Sequence, residues 1–103
     1  MAWFMYDVTG EAVDEPDAET VRQVLDGLDS ADAEHPDVSL THESGWCLSA
    51  FADGSLVWEN TADDGTTAPV ELRGTGRADV LRLFGLLVTG VIPAIRRLPW
   101  TAL

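Results

Sequence analysis

Trp46-Cys47-Leu48-Ser49-Ala50-Phe51-Ala52-Asp53-Gly54-Ser55-Leu56-Val57-Trp58-Glu59-Asn60 is the stretch from which the fold is read. Two largely apolar runs flank Asp53-Gly54, and an Asp-Gly pair supplies the positive φ angles of a type I′ hairpin turn. The stretch therefore predicts two antiparallel strands, Trp46–Ala52 and Ser55–Asn60. A two-residue turn would set Phe51 opposite Leu56 and Ser49 opposite Trp58, with Ala50 opposite Val57 and Leu48 opposite Glu59. Both faces of that hairpin are mostly apolar, which places it inside a sheet and not at its edge.

Outward from the hairpin, the pattern adds strands and two helices. Ala2–Val8 is rich in aromatic and large apolar side chains and reads as a first strand. Gly10 and the acids at 11, 14 and 15 form a loop, and Asp14-Glu15-Pro16-Asp17 marks a helix start, where Asp can cap free N–H groups. Ala18, Val21, Val24, Leu25 and Leu28 then form one apolar stripe. Gly27 weakens the last turn of this helix, and Asp29-Ser30-Ala31-Asp32 ends it. Pro36 introduces a strand at Val38–Thr41. Beyond the hairpin, Asp63–Thr67 is a polar turn and Pro69–Arg73 a further strand. Thr75 is the expected cap of a second helix with apolar positions Val80, Leu81, Phe84, Leu87, Val88 and Val91. So apolar a helix is expected to lie across the sheet, with Gly85 allowing close approach. Gly90 and Pro93 close it, and Ile92–Trp100 makes a short terminal turn. The expectation is a single α+β domain over residues 1–103. Its order is β-α-β-β-β-β-α, with an antiparallel sheet packed against two helices.

The charge balance bears on partners. Among 103 residues, 18 acids face 6 bases, for a formal net charge of −12; every base is arginine and lysine is absent. A GC-rich coding bias or a salt-adapted proteome would each produce such a composition. The charge is also segregated, with five of the six arginines and only two of the acids in residues 67–103. Net negative charge repels phosphate, so no nucleic-acid partner is expected. The single cysteine, Cys47, cannot form an internal disulfide and suits a small buried hydrophobe. No disulfide framework points to an oxidising compartment. Met1–Asp7 lacks the basic and long apolar parts of a signal peptide, and no apolar run is long enough to span a bilayer. The expectation is a cytoplasmic protein without a membrane partner.

Catalytic and ligand-binding motifs are sparse. His35 precedes Pro36 in a loop. His42-Glu43-Ser44 juxtaposes an imidazole, a carboxylate and a hydroxyl, but adjacency along the chain does not build a triad. His42, Cys47 and Glu43 make at most a partial metal site, and Asp63-Asp64-Gly65 lacks the alternating acids of a calcium loop. Gly74-Thr75-Gly76-Arg77 lacks the third glycine of a dinucleotide fingerprint. The expectation is no enzymatic activity, no cofactor and no metal.

Four tryptophans remain: Trp3, Trp46, Trp58 and Trp100. Trp58 and Trp3 are expected in the core. With the helices over the face of Phe51, Leu56 and Trp58, Trp46 falls on the other face beside Leu48 and Val57. Trp46 and the nearby acids Glu43, Glu59, Asp63 and Asp64 are then the candidate partner-binding residues, an aromatic anchor ringed by carboxylates.

The stretches Ala2–Tyr6, Pro16–Leu28, Trp46–Asn60 and Leu83–Trp100 resemble the small immunity proteins of bacterial polymorphic toxin systems, in particular the Imm1 group. The likeness lies in the Trp-bearing first strand, the acid-flanked first helix, the Asp-Gly hairpin, and the late helix followed by Trp. The chain differs in lacking a Gly-rich middle segment, and no family functional residue is carried across. The resemblance implies an inhibitor that binds and neutralises a cognate basic toxin, with the acidity steering association. The alternative is a structural or regulatory interaction domain, homodimeric through the open sheet face, whose acidity reflects only its proteome.

Overall fold

The structure, a computed structural model, describes residues 3–31, 37–62 and 67–103. Seven strands form one antiparallel sheet: β1 (Trp3–Tyr6), β2 (Ala12–Asp14), β3 (Asp37–His42), β4 (Trp46–Phe51), β5 (Leu56–Asn60), β6 (Val70–Leu72) and β7 (Thr101–Ala102). Their spatial order is β2-β1-β3-β4-β5-β6-β7. Helices α1 (Ala18–Asp26), α2 (Arg77–Val88) and α3 (Ile92–Arg96), with a 3-10 turn at Gly27–Ser30, cover one face. The α+β class and the central place of the β4–β5 hairpin are as the sequence predicts.

Two short edge strands and a third helix join the expected elements. β2 falls within the acidic stretch read as loop. Asp7 makes the turn into it, its carboxylate accepting from the N–H groups of Thr9 (2.9 Å) and Glu11 (3.0 Å) and from the Thr9 hydroxyl (2.6 Å). Gly10 completes that turn at φ +84°. An edge strand of three residues bearing acids at and beside its end is poorly suited to edge-to-edge pairing with another chain. At the far edge, β7 is only two residues long, too short for periodicity to reveal.

The hairpin register differs from the expected one. Phe51 pairs with Ser55, accepting from the Gly54 N–H (3.1 Å) and donating to Ser55 O (3.0 Å), so the loop has three residues, Ala52-Asp53-Gly54. Gly54 lies at φ +88°, in the left-handed position that ends such loops, and Asp53 accepts from the Ser55 N–H. Ala50 consequently faces Leu56, Leu48 faces Trp58 and Trp46 faces Asn60. A slip of one residue moves a strand's whole apolar set to the other face. Trp46, Leu48, Ala50, Leu56 and Trp58 therefore share the helix-covered side, and Phe51 and Val57 turn outward. The expected placement of Trp46 and Phe51 is thus reversed.

The core lies between this side of the sheet and the helices. Met5, Val38, Leu40, Leu48, Ala50, Leu56 and Trp58 meet Val21, Leu25 and Leu28, then Val80, Leu83, Phe84 and Leu87 of α2, and Ile95 of α3. Asp17 caps α1 by accepting from the Thr20 N–H. The cap of α2 is Gly76, not Thr75, and it makes no side-chain bond. Gly85, expected against the sheet, is exposed on the outer side of α2, where an added Cβ would meet nothing within 4 Å.

Candidate functional site

Alternation along the strands makes the uncovered face a readable set of rows. One row runs Asp14–Phe4–Thr41–Cys47–Glu59 across β2, β1, β3, β4 and β5. The next runs Ala12–Tyr6–Ser39–Ser49–Val57–Glu71–Thr101 across all seven strands. Asp37 and Phe51 begin a third. None of the apolar residues among them, Phe4, Phe51 and Val57 included, belongs to the core cluster. Tyr6 is 45% exposed and packs edge-on against Phe4, with ring centroids 5.5 Å apart.

Carboxylates surround these aromatic rings. Asp14, Asp37, Glu59 and Glu71 all stand on the open face, while its nearby cation, Arg73, lies 3.2 Å from Glu71. Burial raises the Asp37 carboxyl above its ordinary range, and no donor or cation among the described residues offsets that cost. At the centre, burial above all pushes the Cys47 thiol up; the negative charges of Glu59 and Asp37 add to this, while hydrogen bonds with Thr41 and Ser49 oppose it. Cys47 is therefore held as a neutral thiol, a poor nucleophile. What the face offers is aromatic and aliphatic area, hydroxyl groups and carboxylates.

The five expected contact residues are distributed unevenly. Glu59 is on the open face. Glu43 lies in the exposed β3–β4 turn at the same end of the sheet. Asp63 and Asp64 lie outside the described residues. Trp46 sits on the helix side, half-buried and stacked on Trp58 (4.7 Å between centroids, 6° between planes). Trp58 stacks in turn on Trp100 at 6.2 Å, and Arg96 lies 5.3 Å from the Trp46 ring centroid. The chain of indoles capped by a guanidinium is a packing feature of the core's rim. Of the arginines that could neutralise the candidate acids, Arg77 engages Asp26 and Asp29, and Arg82 lies near Asp79. The sequence reading does not place Phe4, Tyr6, Asp37 or Phe51 on the open face, and it leaves Asp14 in a loop. Apolar alternation marks two faces, but it does not say which one the helices cover.

His42 is buried, 7% exposed, at the end of β3. Its Nδ1 lies 2.8 Å from Ser44 Oγ and accepts from the Ser44 N–H at 3.1 Å, while Nε2 is buried without a hydrogen-bond partner among the described residues. A serine hydrolase would need a carboxylate orienting the far ring nitrogen and a base free to take the hydroxyl proton. Here the Ser44 backbone already occupies Nδ1, and the pair closes the turn. Among the described residues no cluster of three or more His, Cys, Asp or Glu side chains could hold a metal ion. No described helix is long and apolar enough to cross a membrane.

Compared with models of protein families, with curated proteins and with solved structures, the chain matches none of them.

Proposed function

We propose that this chain is a non-enzymatic protein-binding module that uses the open face of its sheet to bind and neutralise a basic protein partner, the role of an immunity protein against a cationic toxin. The observation that carries the reading is Asp37, a desolvated carboxylate that no cation or donor among the described residues compensates, paired across the strands with Phe51 on the open face. A cation on a partner would supply the missing charge, and the neighbouring aromatic rings would supply the apolar contact typical of binding hot spots. Net charge of −12 adds long-range attraction for a basic surface and raises the association rate. A face-to-face homodimer is less well supported, because it would bring the carboxylates of two copies together.

The test is capture of partners by the tagged chain from its native lysate at low salt and again at about 0.5 M salt, where charges are screened within a few ångströms. A variant carrying Asp37→Asn, Phe51→Ser and Glu59→Gln is run in parallel. The expected result is one basic protein, retained at low salt, released at high salt and lost by the triple variant. Capture indifferent to both salt and the triple variant would overturn the reading. Recovery of the chain alone, as a dimer, would favour the structural or regulatory alternative.

A further inference from the structure

Helices α1 and α2 run antiparallel and are tied together at one end. There Arg77 donates to the Leu25 carbonyl (2.9 Å) and to Asp29 (3.1 Å). At the other end a groove of about 470 Å³ opens between them, lined by Trp3, Val21, Leu81, Gly85 and Val88 among others. That volume falls within the range of small-molecule sites.

Gly85 is an unexpected wall for this groove. Glycine is among the least favourable residues inside a helix, and it is tolerated where a positive φ or a close neighbour excludes a side chain. Neither reason applies. Gly85 is not among the positive-φ residues, and its missing Cβ would point into open space. What the absent side chain does leave is room in the groove.

The polar groups at the groove are already engaged. Trp3 Nε1–H donates to the Pro16 carbonyl (3.2 Å), and Asp17 accepts from the Thr20 N–H (2.9 Å). Glu19 pairs with Arg22, and the Thr89 hydroxyl bonds back to the carbonyls of Gly85 and Leu86. An occupant must therefore be held mainly by apolar contact, since a buried polar atom of its own would find its candidate partners taken. With Glu19 paired to Arg22, the mouth keeps one uncompensated negative charge, Asp17, in a strongly acidic chain, so a cationic head group is favoured over an anionic one.

We propose that the groove between α1 and α2 binds a small cationic amphiphile. Its alkyl chain lies over Gly85 and against the Trp3 indole, and its head group sits at the Asp17–Glu19 rim. This site is in the helix layer, on the opposite side of the sheet from the open face, and it does not depend on the protein-binding reading.

The full chain, labelled with nitrogen-15, is titrated with decyltrimethylammonium below its micelle-forming concentration while the Gly85 amide and Trp3 Nε1–H signals are followed. Saturable shifts confined to the groove are expected, with decanoate weaker by at least about tenfold. Tetramethylammonium, the head group alone, should leave Gly85 unmoved. Gly85→Leu, which places a better helix former in open space, should abolish the shifts while the rest of the spectrum is preserved. Shifts that are absent, spread over the whole chain, equally strong with decanoate, or retained in Gly85→Leu would overturn the proposal.

Discussion

Two neighbouring rows of the sheet, one residue apart on every strand they share, have opposite fates. The row Val13–Met5–Leu40–Leu48–Trp58–Val70–Ala102 faces the helices. The row Ala12–Tyr6–Ser39–Ser49–Val57–Glu71–Thr101 faces outward. Met5, Leu40 and Leu48 are fully buried, whereas Tyr6 is 45% exposed and Ser39 and Ser49 only half-buried. Strand geometry alone separates the two rows, because successive side chains point to opposite sides. What they teach is that a single residue of register separates a side that builds the core from a side the helices leave uncovered. At its centre, from Met5 to Trp58, the inner row loses nearly all contact with water and stabilises the fold, while the outer row keeps Tyr6, Val57 and its hydroxyl groups at least partly exposed.

The largest expected effect tests whether that division of labour is real. Trp58→Ala on the inner row should cost about 3–5 kcal/mol, the usual loss for a buried aromatic, measured by urea unfolding. Phe51→Ser on the outer side should cost no more than about 1 kcal/mol. If both cost alike, the outer side is not an open face and the comparison breaks.

A smaller effect tests the turn that decides which row is inner. Gly54→Ala puts a side chain at φ +88°, with its Cβ 3.0 Å from the Thr75 carbonyl oxygen. A loss of about 1–3 kcal/mol is expected, with cross-strand nuclear Overhauser contacts between Leu48 and Trp58 weakened if the register loosens. Unchanged stability would show that the three-residue loop does not depend on Gly54.

The smallest effect concerns Asp37. Its raised pKa means that the folded state favours the protonated acid, so ionisation costs stability once the pH exceeds the ordinary aspartate value. Asp37→Asn should therefore stabilise the chain slightly at neutral pH, by less than about 0.5 kcal/mol after solvent screening. The gain should shrink as the pH falls through the raised pKa and vanish below the ordinary value. A variant that gains stability yet loses the basic partner would sharpen the contrast, marking Asp37 as kept for binding. Loss of stability at neutral pH would remove Asp37 from that role.

Much of this was legible in the sequence. The alternation of β3 and β4, the apolar stripes of α1 and α2 and the Asp17 cap all follow from local chemistry and periodicity. The site was legible only in part. Glu59 stands on the open face as expected, but Trp46 does not, because the expected register rested on a two-residue turn. Asp53-Gly54 suits both a two-residue loop and the final positions of a three-residue loop, and the two choices differ by one residue of register. Gly85 was misplaced for a related reason. Its effect depends on which side of α2 meets the sheet, and leucines almost all round the helix left that side undetermined.

The sequence by itself determined that this chain builds one acidic α+β domain around a central hairpin, because propensity, alternation and turn chemistry act over a few neighbouring residues. Only the tertiary structure decided which side of the sheet the helices cover, where Trp46 and Phe51 point, and that α1 and α2 part around Gly85. Those outcomes depend on strand register and on packing between elements distant in sequence, where a shift of one residue exchanges core for surface.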